Sequence, residues 1–399
     1  MSAGADAAVS PAAWRDSRKP FWPVALLVPM LPLMAWLVWR GGAGWWAWWL
    51  PPLTVFGVIP VVDLLIGDDR SNPPETAMPK LARNGYYRWL TYLYLPFQYA
   101  GLVLGCALWA SGELDPLGAA GLIVTLGVVD GIAINTAHEL GHKRERLERW
   151  MSKVALAPTG YGHFYVEHNR GHHVRVATPP DPASSRLGES FYAFWPRTVW
   201  GSLRSAWRLE AARFRLRGRS PWNHRNDVLN AWAMTLVLFG VLVAAFGPVV
   251  LPFLVLQAVC GFSLLEVVNY LEHYGLARQR NAAGRYEKVD ARHSWNSDRT
   301  VTNVFLFQLQ RHSDHHANPL HRYQTLRSFD ASPQLPAGYA TMIVVALVPP
   351  AWRRAMDHRV LAHYGGDLEL ANVHPPARRR LRKRLGRPAG TPGGASKAG

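Results

Sequence analysis

Apolar residues in this chain come in long runs rather than in alternation. Six runs approach the ~20 residues that a helix needs to cross a bilayer. They cover 21–39, 45–66, 90–110, 117–137, 229–246 and 249–271. Pro51, Pro52, Pro60 and Asp63 interrupt the second, SGELDP separates the third from the fourth, and Gly247-Pro248 turns the fifth into the sixth. A seventh run, 339–352, is too short to span and is expected at the membrane interface. The pattern predicts an all-α, polytopic membrane protein with six transmembrane helices.

Charge sets the expected orientation. The chain has 399 residues and 44 Lys+Arg against 27 Asp+Glu, a net charge of +17. Basic residues gather before the first run (Arg15, Arg18, Lys19), between the second and third (Arg70, Lys80, Arg83, Arg88) and across 138–227. The turns after the third and fifth runs carry none. By the positive-inside rule both termini and the large polar segments are expected to be cytoplasmic. The first run is longer than a signal h-region and lacks a small-residue cleavage site, so it is read as retained. No nucleic-acid motif accompanies the charge. The organisation expected is an unstructured segment 1–20, spans one to four in 21–137, a catalytic segment 138–228, spans five and six in 229–271, a second catalytic segment 272–377 and an unstructured basic tail 378–399. Cys106 and Cys260 are the only cysteines, too few for a four-cysteine zinc or iron–sulfur centre.

Histidine carries the candidate chemistry. Of sixteen, nine cluster at the expected cytoplasmic ends of spans: His138 and His142 in HELGHK, His168, His172 and His173 in EHNRGHH, His273 in NYLEHYGL, and His312, His315 and His316 in LQRHSDHHA. Spacings of three and four put two imidazoles on one helix face, where each pair can share a metal. Imidazole suits zinc, copper, iron and nickel. Nine ligands are too many for one four-coordinate zinc and fit two ions. Glu139, Glu167, Glu272 and Asp314 lie beside the ligands, either as surface charges or as acceptors of a ligand's second N–H. His138-Glu139-Leu140-Gly141-His142 also fits the H-E-x-x-H pattern of zinc proteases, a reading that leaves seven clustered histidines unexplained. A metal-handling membrane protein without catalysis is a further alternative.

These strings, with GYGHFYVEHN, ATPPDPASSRLGES, RHSWNS and NPPE, resemble the bacterial integral-membrane alkane 1-monooxygenases over roughly residues 20–370. Those are non-haem diiron enzymes that hydroxylate the terminal carbon of n-alkanes. The resemblance implies two iron ions at the nine histidines, and electrons from a separate rubredoxin served by a rubredoxin reductase. Fatty-acid desaturases share the three-box histidine logic, and xylene-type monooxygenases acting on aryl methyl groups are nearer relatives. The longer strings favour the alkane enzymes.

The substrate is then an n-alkane drawn from the bilayer. Counting back from His138 at ~100° per residue puts Ile134, Gly131 and Gly127 on its face. The glycines either open a slot for the alkyl chain or let helices pack closely. Val55 and Ile132 are candidate walls. Asp63 and Asp130 lie within spans and have no assigned role. His163, His224, His293, His321, His358, His363 and His374 stand outside the repeated spacings, with His163 and His293 the candidates to support the ligands.

Overall fold

The computed structural model describes residues 14–385. Among them there is no β-strand, only four isolated bridges. Five helical runs are long and apolar enough to cross a membrane: Lys19–Ile66, Met78–Ser111, Pro116–Gly141, Asp227–Phe246 and Pro248–His273. The six separate spans expected are thus five runs, because both N-terminal stretches belong to one. That run has 48 residues, and a straight helix of this length would reach ~72 Å. It does not run straight. Gly42 at φ +92° and Gly44 at φ +71° interrupt it, and α1 (Leu27–Val38) packs back against Leu50–Leu53.

Helix ends follow from local chemistry. α2 (Ile59–Ile66) stops at Gly67, φ +84°. α3 (Gly85–Ser111) starts at Asn84, whose side chain accepts from Tyr86 N. α4 (Pro116–Gly141) has Pro at its first position and an Asp115 cap that accepts from Leu117 N and Gly118 N. α5 (Arg146–Leu156) and α6 (Phe191–Arg215) follow in the first large polar segment. α7 (Asp227–Phe246) and α8 (Leu251–His273) form the hairpin around Gly247. The second polar segment holds α9 (Thr300–Phe305), α10 (His312–Ala317), α11 (Tyr339–Ala346) and α12 (Pro349–His363).

α4 and α8 form the central pair, and the glycines of α4 bring them together. A Cβ on Gly127 would meet Cys260 Sγ at 2.5 Å and Gln257 O at 3.2 Å, and one on Gly131 would meet Gly261 O at 2.7 Å. Both glycines allow close packing of α4 on α8, and Gly131 also borders the cavity described below. The two intramembrane acids join elements. Asp63 accepts from Val301 N (2.9 Å), Thr302 N (3.1 Å) and the Thr302 hydroxyl, tying the end of α2 to the start of α9. Asp130 accepts from Gln98 Nε2 (2.9 Å), linking α4 to α3.

The run 339–352 buries Tyr339, Met342, Ala346 and Trp352 against α8 and leaves Val344, Leu347 and Val348 exposed. Segments 1–20 and 378–399 fall partly outside the described residues, and their described parts are ordered. Asp16 accepts from Trp22 Nε1 (3.0 Å) and Tyr87 OH (2.7 Å), and α13 (Arg378–Leu385) buries Leu381.

Candidate metal centre

The last turn of α4, the stretch 164–175, the end of α8 and the short α10 converge on one buried place. All nine clustered histidines meet there, in two groups. His138, His142, His168, His173 and His315 form the first, and His172, His273, His312 and His316 the second. In each group the candidate ligand atoms lie within 4.8 Å of one another.

The grouping does not follow helical spacing throughout. His138/His142 and His312/His316 share a group, as residues four apart on an α-helix do. His168 and His172 do not, because Glu167–His172 is a π-helical turn. Its wider pitch aligns His168 with His173, five residues on, at 3.0 Å between Nε2 atoms. The freed His172 turns to the other group. Gly171 is needed in this turn, since a Cβ there would sit 2.5 Å from both Glu167 Oε2 and Arg175 Nη2.

The ring nitrogens face one another. Nε2 atoms of His138 and His315 are 2.8 Å apart, His315 and His173 3.0 Å, and His316 and His312 2.9 Å. His142 Nε2 and His172 Nε2 are buried without a hydrogen-bond partner. Burial, reinforced by the neighbouring rings, holds His142, His168, His173, His312, His315 and His316 well below the ordinary imidazole pKa, so they are neutral and their lone pairs free. Such inward lone pairs fit cations. At metal–nitrogen bonds of ~2.1 Å, neighbouring ligands of a six-coordinate ion lie ~3.0 Å apart and those of a tetrahedral ion ~3.4 Å. The nearest spacings, 2.8–3.0 Å, are close enough for both nitrogens to reach one ion, and five nitrogens in one group exceed the tetrahedral four.

Of the four carboxylates expected to support the ligands, three are engaged elsewhere. Glu139 pairs with Lys143 Nζ at 3.0 Å and accepts from Tyr323 N, which also removes it from the zinc-protease role. Glu167 pairs with Arg175 at 2.6 Å, and Asp314 with Arg327 and Asn318. Glu272 does approach an imidazole, His312, at 3.2 Å. The contact is to Nε2, the nitrogen facing His316, so Glu272 enters from the metal side. The acceptor that the sequence reading missed is Asp181, whose Oδ2 lies 2.9 Å from His172 Nδ1. It sits within ATPPDPASS, with no periodic relation to His172 that marks it. His163 packs on Tyr161 and Trp232, and His293 pairs with Glu287 and Asp290, so neither supports a ligand ring through its own side chain.

An apolar cavity ends at the histidines. Of the residues proposed from sequence, Val55, Gly131, Ile132 and Ile134 line it, whereas Gly127 is packed on Cys260. His138 and His168 of the first group and His312 of the second also form its wall, together with Glu272. One cavity therefore joins an apolar path to both groups.

The chain is similar in sequence to known proteins. The fatty acid desaturase family matches residues 115–346, which holds every clustered histidine. An alkane 1-monooxygenase of Acinetobacter baylyi is 47% identical over 84% of this chain and 82% of its own length. One of Ectopseudomonas oleovorans is 43% identical over 93% of this chain and 92% of its own. The xylene/toluene monooxygenase hydroxylase component of Pseudomonas putida is more distant, at 29% over 65% of this chain and 70% of its own. With nine inward-facing imidazoles, an apolar cavity ending on them and this similarity over nearly the whole length, the chain belongs to the alkane 1-monooxygenase family.

Proposed function

We propose that this protein is a membrane-bound diiron monooxygenase that converts n-alkanes to primary alcohols. The overall balance is RH + O2 + 2 electrons + 2 protons → ROH + H2O, with rubredoxin as the electron donor and a reductase behind it. The observation that carries the reading is the continuity of the apolar cavity with both histidine groups. His138, His142, His168, His173 and His315 would hold one iron, and His172, His273, His312 and His316 the other. When bound, the iron pair supplies the oxidising power needed to break an unactivated C–H bond, which no side chain provides. We place the site on the cytoplasmic side of a bacterial inner membrane, in keeping with the basic segments that carry it.

The chain's own residues orient the substrate. Val55, Phe56, Ile59, Ile132, Ile134 and Leu264 present an apolar wall. An alkane leaving lipid gains little from burial, since both surroundings are apolar. Cavity shape therefore selects the substrate, by how far the chain extends before its terminal methyl meets His138, His168 and His312. The same wall keeps bulk water from the histidines. Asp181, by accepting from His172 Nδ1, fixes that ring's tautomer and turns Nε2 inward.

Replacing His172 or His312 with Ala is expected to deplete iron and abolish 1-octanol formation from octane. Retained octane turnover would contradict the assignment. An alkene product instead of the alcohol would move the protein to desaturase chemistry.

A further inference from the structure

We propose that the surface around Val174 is the port through which the electron donor docks. The proposal rests on the hydroxylase reading and adds to it the place where electrons enter. Eight of the nine clustered histidines are buried, and His173 is half-buried. The next residue, Val174, is 66% exposed. An electron arriving here crosses the least protein before reaching an imidazole of the first group, whose Nε2 lies 3.0 Å from those of His168 and His315.

The surroundings of Val174 are fixed and basic. Arg278 Nη1 donates to Val174 O at 3.0 Å, and Arg278 N donates to Ala177 O at 2.7 Å, so the loop that follows α8 is clamped to the stretch bearing His173. From Arg278 to Arg292 that loop has five basic residues against Glu287 and Asp290, and Arg280 and Lys288 are exposed. Beyond Arg175, exposed Arg204 and Arg208 of α6 line a neighbouring groove. An exposed apolar centre with a cationic rim fits a small acidic protein that carries one electron at an apolar, solvent-near centre. Opposite charge steers such a partner, and the apolar contact seats it. Two successive dockings deliver the two electrons of the balance, each oxidising one reduced donor by one electron.

The test uses the full-length protein loaded with iron in lipid nanodiscs, reduced rubredoxin as the probe and octane as substrate. In Arg280→Glu/Lys288→Glu and in Val174→Glu, KM for rubredoxin is expected to rise about tenfold with kcat unchanged, and the ionic-strength dependence of the double variant to flatten. Arg379→Glu/Lys383→Glu on α13 reverses as many charges elsewhere and is expected to leave KM as it is. An unchanged KM in the Val174-face variants overturns the proposal, as does an equal rise in the α13 variant. Weaker binding to anionic vesicles with KM unchanged also overturns it and makes the face a lipid contact. Rubredoxin oxidation that depends on this face without 1-octanol would uphold the port and contradict the hydroxylase reading.

Discussion

Asp181→Asn isolates the one carboxylate that orients a clustered histidine. Asp181 is 1% exposed, and its Oδ2 accepts from His172 Nδ1 at 2.9 Å and from Ser184 Oγ at 2.6 Å. Asparagine keeps the volume and can keep the Ser184 contact, but it offers His172 a neutral oxygen or an opposing N–H. A hydrogen bond to a charged group is worth ~1.5–3 kcal/mol, roughly twice a neutral one. Its loss therefore corresponds to ~10–100-fold in affinity for the ion held by His172, in line with outer partners of metal ligands generally. The effect is confined to one group, because Asp181 contacts His172 and none of the five histidines of the other group by hydrogen bond. Iron content measured by mass spectrometry after dialysis against graded chelator is expected to fall in two steps, with only the weaker step shifted. Two unshifted steps would refute the orienting role, and an equal shift of both would refute the division of the histidines into two groups.

Two other perturbations test separate parts of the account. Val55 is 5% exposed and lines the cavity, so Val55→Trp is expected to shorten the preferred alkane by several carbons. An unchanged chain-length profile in a competition among n-alkanes counts against this wall. His163 lies buried beside Tyr161, and burial pushes its pKa down to about 3. Between that value and ~6.5 the unfolded chain binds a proton that the folded chain does not, so stability falls as pH drops below ~6.5, by ~1.4 kcal/mol per unit. His163→Phe is expected to remove this loss, making the variant's melting temperature less sensitive between pH 6.5 and 5.5. Parallel pH profiles would contradict the burial argument.

The membrane helices and the nine histidines were legible in the sequence because both follow from chemistry that spacing preserves. Lipid demands long apolar runs, and a multi-histidine site needs several imidazoles at the same end of them. What spacing did not disclose was which rings share an ion. That depends on the π-helical turn at Glu167–His172, which pairs His168 with His173 instead of His172. Proximity in sequence left the roles of Glu139, Glu167 and Asp314 open, and in the structure each pairs with a basic side chain. Asp181 was hidden because a loop, not a periodic element, brings it to His172.

The central claim is that two ions, one per histidine group, are needed together for terminal hydroxylation. The direct measurement is titration of metal-free protein with ferrous iron under octane, O2, rubredoxin and reductase, following 1-octanol. Product formation is predicted to require iron and to reach its maximum at two equivalents per chain, with zinc giving none. Full turnover at one equivalent, or any turnover with zinc alone, would contradict the account.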